Sequence, residues 1–233
     1  LNVRKNEESS VAYVFLVAIL MIFIGALGDK SQLLALVLAT KYKPWQVLVG
    51  ISAATLTVHV LTTLLGLWAG SAIPDGIMPW ITGVLFIGFG LWTLRGDKVD
   101  DEDAEKGGAS KWGPFVAVFV AFFIAELGDK TQLMTLAIAA DPTAALTTYL
   151  KVFGANVNSV MQSSGLVAVK LTQFQEFWAV SLGSTLGMVA ADAIAIAVGR
   201  ILGKRMPEKL ITRISGVIFL GFGVLALVSA VVK

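Results

Sequence analysis

Polar positions in this chain are few and grouped, and long apolar stretches separate them. Nearly unbroken hydrophobic runs cover 11–40, 46–70, 77–94, 113–140, 177–199 and 211–232. An α-helix needs about 20 such residues to cross the hydrocarbon of a bilayer. The pattern therefore predicts an all-α integral membrane protein with six transmembrane helices. The polar segment "LNVRKNEESS" precedes the first run. That run is too long for a signal-peptide core and lacks a small-residue cleavage site, so it reads as a retained helix.

Composition agrees with the pattern. Only 15% of the 233 residues are charged and 56% are hydrophobic, whereas a soluble domain carries about 25% charged residues. A formal net charge of +2 is too small to imply a nucleic-acid partner. The absence of cysteine excludes disulfides and thiolate metal sites. Lys and Arg are unevenly placed. With six spans, one side of the membrane holds Lys41, Lys43, Arg95, Lys98, Lys106, Lys111, Arg200, Lys204, Arg205, Lys209 and Arg213, and the other only Arg4, Lys5, Lys151, Lys170 and Lys233. The richer side is expected to be cytoplasmic, which puts both termini outside the cytoplasm.

The polar clusters repeat. "GALGDKSQLL" (25–34) returns as "AELGDKTQLM" (125–134), and "GVLFIGFG" (83–90) returns as "GVIFLGFG" (216–223). The first match has an offset of 100 and the second of 133. The larger offset also pairs Gly50 with Gly183, Gly66 with Gly199, Gly70 with Gly203, Pro74 with Pro207 and His59 with Asp192. Residues 1–95 thus form one three-helix repeat, 96–112 an acidic cytoplasmic linker, and 113–233 a second repeat. The difference between the offsets places about 33 extra residues near 141–176, expected to be an extracellular insertion. Three helices per repeat is an odd number, so the second half should enter the membrane from the opposite side. Secondary transporters are built on such inverted repeats, with their ligand site near the midplane.

Ionisable residues within a membrane helix are costly and are read first as functional. Asp29, Lys30, Asp129 and Lys130 lie deep in apolar stretches. On a continuous helix Glu126 and Asp129, three apart, would share a face, with Lys130 also in reach. Gly28 and Gly128 precede the acids and permit close helix approach or local unwinding. Ser31, Thr131, Gln32 and Gln132 add neutral oxygens. This hard-oxygen inventory suits Ca²⁺, Mg²⁺ or Mn²⁺. Two complete motifs would carry four carboxylates and two ammonium groups. One divalent cation, or two protons, would neutralise that excess, which is the chemistry of an exchanger. A purely structural pairing of acids with lysines explains neither the duplication nor the glycines.

Two copies of Glu-x-Gly-Asp-Lys-(Ser/Thr), on the first helices of two three-helix halves, resemble the Golgi-type cation/proton antiporter family. Its members exchange Mn²⁺ and Ca²⁺ for protons and include bacterial manganese exporters. The resemblance implies a transporter rather than an enzyme, without a cofactor, in a bacterial inner membrane and exporting Mn²⁺. It implies cation ligands at Asp29, Glu126 and Asp129, with Ser31, Gln32, Thr131 and Gln132 as the motif's polar tail. The chain departs from the pattern at Ala26, where the family has Glu. Three acids then face two lysines. On that count the chain is expected to transport poorly, and Ala26 reads as an engineered substitution, with a natural asymmetric variant as the alternative.

His59 and Asp192 are weighed between buried packing and a proton-handling or supporting role, since histidine titrates near neutral pH. The tryptophans near span ends, Trp45, Trp80, Trp92, Trp112 and Trp178, suit an interfacial belt. Two other readings stay open. A passive cation channel would show no coupling between metal and proton flow. An intramembrane aspartyl protease would need glycine at 26 and 126, and the adjacent lysines oppose the shared proton of its dyad.

Overall fold

The structure is a computed structural model describing residues 2–72, 77–95, 113–127, 129–142, 144–145, 147, 171–202 and 208–231. The linker 96–112 and most of the 141–176 insertion lie outside these residues, as do Gly128 and the side chain of Lys30. Eight helices organise the described residues: α1 (Asn2–Ala26), α2 (Lys30–Lys41), α3 (Pro44–Ala72), α4 (Met78–Arg95), α5 (Pro114–Glu126), α6 (Lys130–Ala140), α7 (Gln173–Leu202) and α8 (Glu208–Val231).

The runs at 11–40 and 113–140, expected as continuous helices, are each divided. The axis turns by 77° between Ser10–Ala26 and Ser31–Lys41. Both breaks are built alike. Leu27 N–H donates to Ile24 O and Asp29 N–H to Ala26 O, and Leu127 and Asp129 repeat the pattern onto Ile124 and Glu126. Gly28 takes a left-handed φ of 72° at its break, a conformation that costs a residue with a Cβ about 1–2 kcal/mol. The second break ends by capping α6: Asp129 is extended (φ −74°, ψ 163°) and its carboxylate accepts the Thr131 N–H.

By length and apolarity, α3 and the Gln173–Arg200 part of α7 can each cross a bilayer, and the bent α1–α2 pair makes a third candidate. Polarity is distributed as in a protein dissolved in lipid. Leu16, Leu61, Leu64, Leu65, Leu186, Val217 and Val224 are exposed, while Asp29, His59, Lys130 and Asp192 are fully buried. Of the expected interfacial tryptophans, Trp45, Trp80 and Trp178 are exposed, as is Trp68.

Glycine contacts set how the helices run. A Cβ on Gly183 would lie 2.9 Å from Ala18 Cβ and 2.7 Å from Phe15 O; Gly187, one turn on, meets Ile19 O and Phe23 N. The contacts advance together, so α1 and α7 are parallel. Gly50 repeats this on the other side, 2.7 Å from Val118 Cβ and 3.2 Å from Phe115 O, and Gly66 further along abuts Leu136 and Ala139. Thus α3 runs parallel to α5 and α6. Phe15 and Ala18 precede Phe115 and Val118 by 100 residues, and Gly50 precedes Gly183 by 133, so one contact is made twice. In contrast α4 and α8 are antiparallel, since Gly83 packs on Leu227 and Gly90 on Leu220, while Gly216 packs on Leu94 and Gly223 on Ile87. The repeat-related Phe86 and Phe219 stack at 6.3 Å.

Candidate cation site

Both helix breaks deliver their acids to one buried place. Lys130 Nζ lies 3.4 Å from Asp29 Oδ1, an ion pair between the two motifs with neither side chain exposed. The Asp29 carboxylate also interacts with Asp129 and Glu126. On the second motif, the Thr131 hydroxyl is 3.1 Å from Asp129 Oδ2 and 3.2 Å from Glu126 Oε2. A hydroxyl has one proton to donate, so Thr131 serves the two carboxylates in turn.

The route by which Glu126 and Asp129 meet differs from a shared helix face. Helix α5 stops at Glu126 and Asp129 stands outside α6 as its cap. The acids meet because the Thr131 hydroxyl lies within hydrogen-bond distance of both. Unwinding, one of two roles expected of the glycines, is what the Gly28 break displays.

Other motif residues divide between supporting the break and lining the buried space. Gln32 Oε1 accepts the Gly28 N–H at 2.8 Å, and its Nε2 donates to Ala191 O at 3.3 Å. Its oxygen thus holds the first break from within, and its nitrogen ties that break to α7. Ser31 is fully buried and Gln132 partly buried. Ala26 is fully buried, in the apolar cluster that holds Met188 and Ala191. Among the described residues, no group of three or more His, Asp or Glu side chains is placed to hold a metal ion. Asp29 is drawn onto Lys130, and Glu126 and Asp129 onto Thr131.

A second polar seam, which the motifs do not announce, runs between α3 and α7. Thr55, His59, Thr62 and Thr63 are buried on α3; Ser181, Ser184, Thr185 and Asp192 are buried on α7. The Thr185 hydroxyl is 3.4 Å from His59 Nδ1 and donates to Ser181 O. The Thr131 hydroxyl sits 3.9 Å from Met188 Sδ on the same α7 face. A signal for the seam exists in the sequence: hydroxyls and ionisable groups recur at three- and four-residue spacing within apolar spans. His59 and Asp192 fall on this seam and not among the motif side chains.

Carboxylates held this closely repel one another unless a proton or a cation lies between them. A proton or a cation held among these acids would relieve that repulsion.

The chain matches the family described as divalent cation/proton antiporter GDT1 over residues 14–101, 114–169 and 162–233. It is 32% identical over 211 residues to a Vibrio cholerae protein named "Putative manganese exporter", covering 90% of this chain and 88% of that one. It is 30% identical over 230 residues to the GDT1-like protein sll0615 of Synechocystis, covering 91% of this chain and 95% of that one. It is 22% identical over 280 residues to the Saccharomyces cerevisiae divalent cation/proton antiporter GDT1, covering 97% and 87%. No solved structure matches it. The two divided helices with their facing acids, and matches that run nearly end to end, lead to one conclusion: this chain belongs to the divalent cation/proton antiporter GDT1 family.

Proposed function

We propose that this protein is a secondary active transporter that exchanges a divalent cation, Mn²⁺ or Ca²⁺, for protons and exports Mn²⁺ from a bacterial cytoplasm. The observation that carries this reading is the joint burial of Asp29, Lys130, Asp129, Thr131 and Glu126 where the two helix breaks meet. A metal ion arriving there meets carboxylates whose mutual repulsion it relieves, and protons leave. Protons returning restore the starting charge. Asp29, Glu126 and Asp129 are the direct ligands in this reading. Thr131 and Ser31 contribute neutral oxygens, Gln32 braces the first break, and Lys130 balances charge. The names of the yeast and Vibrio relatives support both the exchange and the metal.

Six spans arranged as two inverted repeats fit this chemistry, with α1–α2 and α5–α6 each counted as one divided span. Helix directions support the inversion. In a repeat of unchanged orientation, the first helix of one half would run antiparallel to the second helix of the other. Here α1 runs with α7, and α3 with α5. Both termini then lie outside the cytoplasm, following the Lys/Arg excess on the other side.

The test is a flux measurement in proteoliposomes, with Mn²⁺ or Ca²⁺ set against a pH gradient. Exchange predicts that inward metal movement drives protons out and that reversing the pH gradient reverses net metal flow. Metal flow indifferent to the pH gradient would establish the channel reading instead.

A further inference from the structure

At the second motif three electron-rich atoms converge on one hydroxyl. Asp129 Oδ2, Glu126 Oε2 and Met188 Sδ all lie within 3.9 Å of Thr131 Oγ1, and all four side chains are buried. Two of these atoms are carboxylate oxygens of the motif. The third is a thioether sulfur brought by another helix. Met188 stands on α7 beside Gly187, which packs on Ile19 and Phe23 of α1, so the α1–α7 contact sets its level.

The two halves differ at this point. By the 133-residue offset Met188 is equivalent to Thr55, and by the 100-residue offset Thr131 is equivalent to Ser31. Ser31 and Thr55 are buried hydroxyls without a hydrogen-bond partner among the described residues. The first half therefore carries oxygen at the position where the second carries sulfur. Filling apolar space does not require that sulfur. Leucine exchanges for methionine at nearly constant volume and offers the Thr131 hydroxyl no acceptor.

We propose that Met188 is a specificity-determining residue, whose thioether is a soft donor to the ion held at Glu126, Asp129 and Thr131 and favours Mn²⁺ over Ca²⁺ and Mg²⁺. The inference rests on the exchange reading above and states which of its metals the site prefers. Ca²⁺ takes about six to eight oxygen ligands and Mg²⁺ an octahedron of them, so a neutral sulfur serves either ion poorly. A d-block ion accepts the polarisable sulfur pair, weakly for Mn²⁺ and strongly for soft Cd²⁺.

The chain contains no cysteine, so a protein sulfur found on a bound metal belongs to methionine. The test uses the intact chain in detergent, its Met188→Leu variant, and a Met21→Leu/Met134→Leu control that replaces the other buried methionines among the described residues. Cadmium X-ray absorption reads the ligands of bound Cd²⁺, and competition calorimetry with Mn²⁺ and Ca²⁺ reads the preference. Parent and control should show one sulfur on Cd²⁺, and Met188→Leu none. Met188→Leu should lower the preference for Mn²⁺ over Ca²⁺ by about tenfold, with Ca²⁺ affinity staying within about threefold of the parent. An all-oxygen Cd²⁺ shell in the parent would overturn the proposal. So would a sulfur that survives Met188→Leu or is lost from the control, or an unchanged preference. If Met188→Leu does not fold, the other two spectra decide, and sulfur in both upholds the assignment. In each case a parent that exchanges Mn²⁺ for protons leaves the functional reading intact. A parent that binds neither Mn²⁺ nor Ca²⁺ would overturn both.

Discussion

Asp29 of the first motif and Lys130 of the second meet at 3.4 Å with both side chains fully buried. Each half thus completes the charge balance of the other. A change of charge on Asp29 would therefore be felt by Lys130 of the other half, a dependence that the proposed exchange requires.

Lys130→Gln should strand the Asp29 carboxylate without its ammonium partner. Breaking one side of a buried pair costs about 3–5 kcal/mol, so the variant should melt well below the parent. Adding Asp29→Asn removes the stranded charge and should recover most of the loss. Thermal unfolding in detergent checks both, and a double variant no more stable than the single would refute the pairing.

Thr131→Val should keep the shape of the second break but remove the hydroxyl between Glu126 and Asp129. A hydrogen bond to a charged group contributes about 1.5–3 kcal/mol, so Mn²⁺ affinity should fall by about tenfold or more. Thr131→Ser retains the hydroxyl and should stay close to the parent. Calorimetric titration with Mn²⁺ separates the two variants.

Gly187→Ala would press a methyl group into Ile19 O and Phe23 N. Overpacking of this kind costs about 1–3 kcal/mol, and because Phe23 precedes the first break by only a few residues, flux should drop with stability. Gly88→Ala and Gly221→Ala meet nothing within 4 Å. They should leave the melting temperature unchanged or slightly raised, although they belong to the duplicated glycine-phenylalanine pattern.

Gly28→Ala tests the break itself. The left-handed φ of 72° charges an alanine about 1–2 kcal/mol, which favours straightening towards a continuous α1–α2 helix. Straightening would carry Asp29 away from Lys130. Slower flux, together with greater protection of the 27–29 amides from hydrogen exchange, is the expected outcome; flux at the parent's rate would show that the bend is not needed.

Much of this protein was readable along the chain. Apolar runs spaced by charged turns define helices because lipid, unlike water, tolerates no unsatisfied backbone. The duplicated Leu-Gly-Asp-Lys stretch marks the candidate site because burying ionisable groups is costly. What one-dimensional spacing could not supply was the bend. A Gly-Asp pair inside an apolar run is compatible with a straight helix, on which Glu126 and Asp129 share a face, and equally with a break at which Asp129 becomes a cap. Tertiary packing goes with the break, at which Asp29 reaches Lys130 of the other half. It likewise decided that Gln32 would brace Ala191, and that hydroxyls on α3 and α7, unremarkable singly, would form one buried seam. Those outcomes depend on distances between residues more than a hundred positions apart, which are set by which helix faces close on each other.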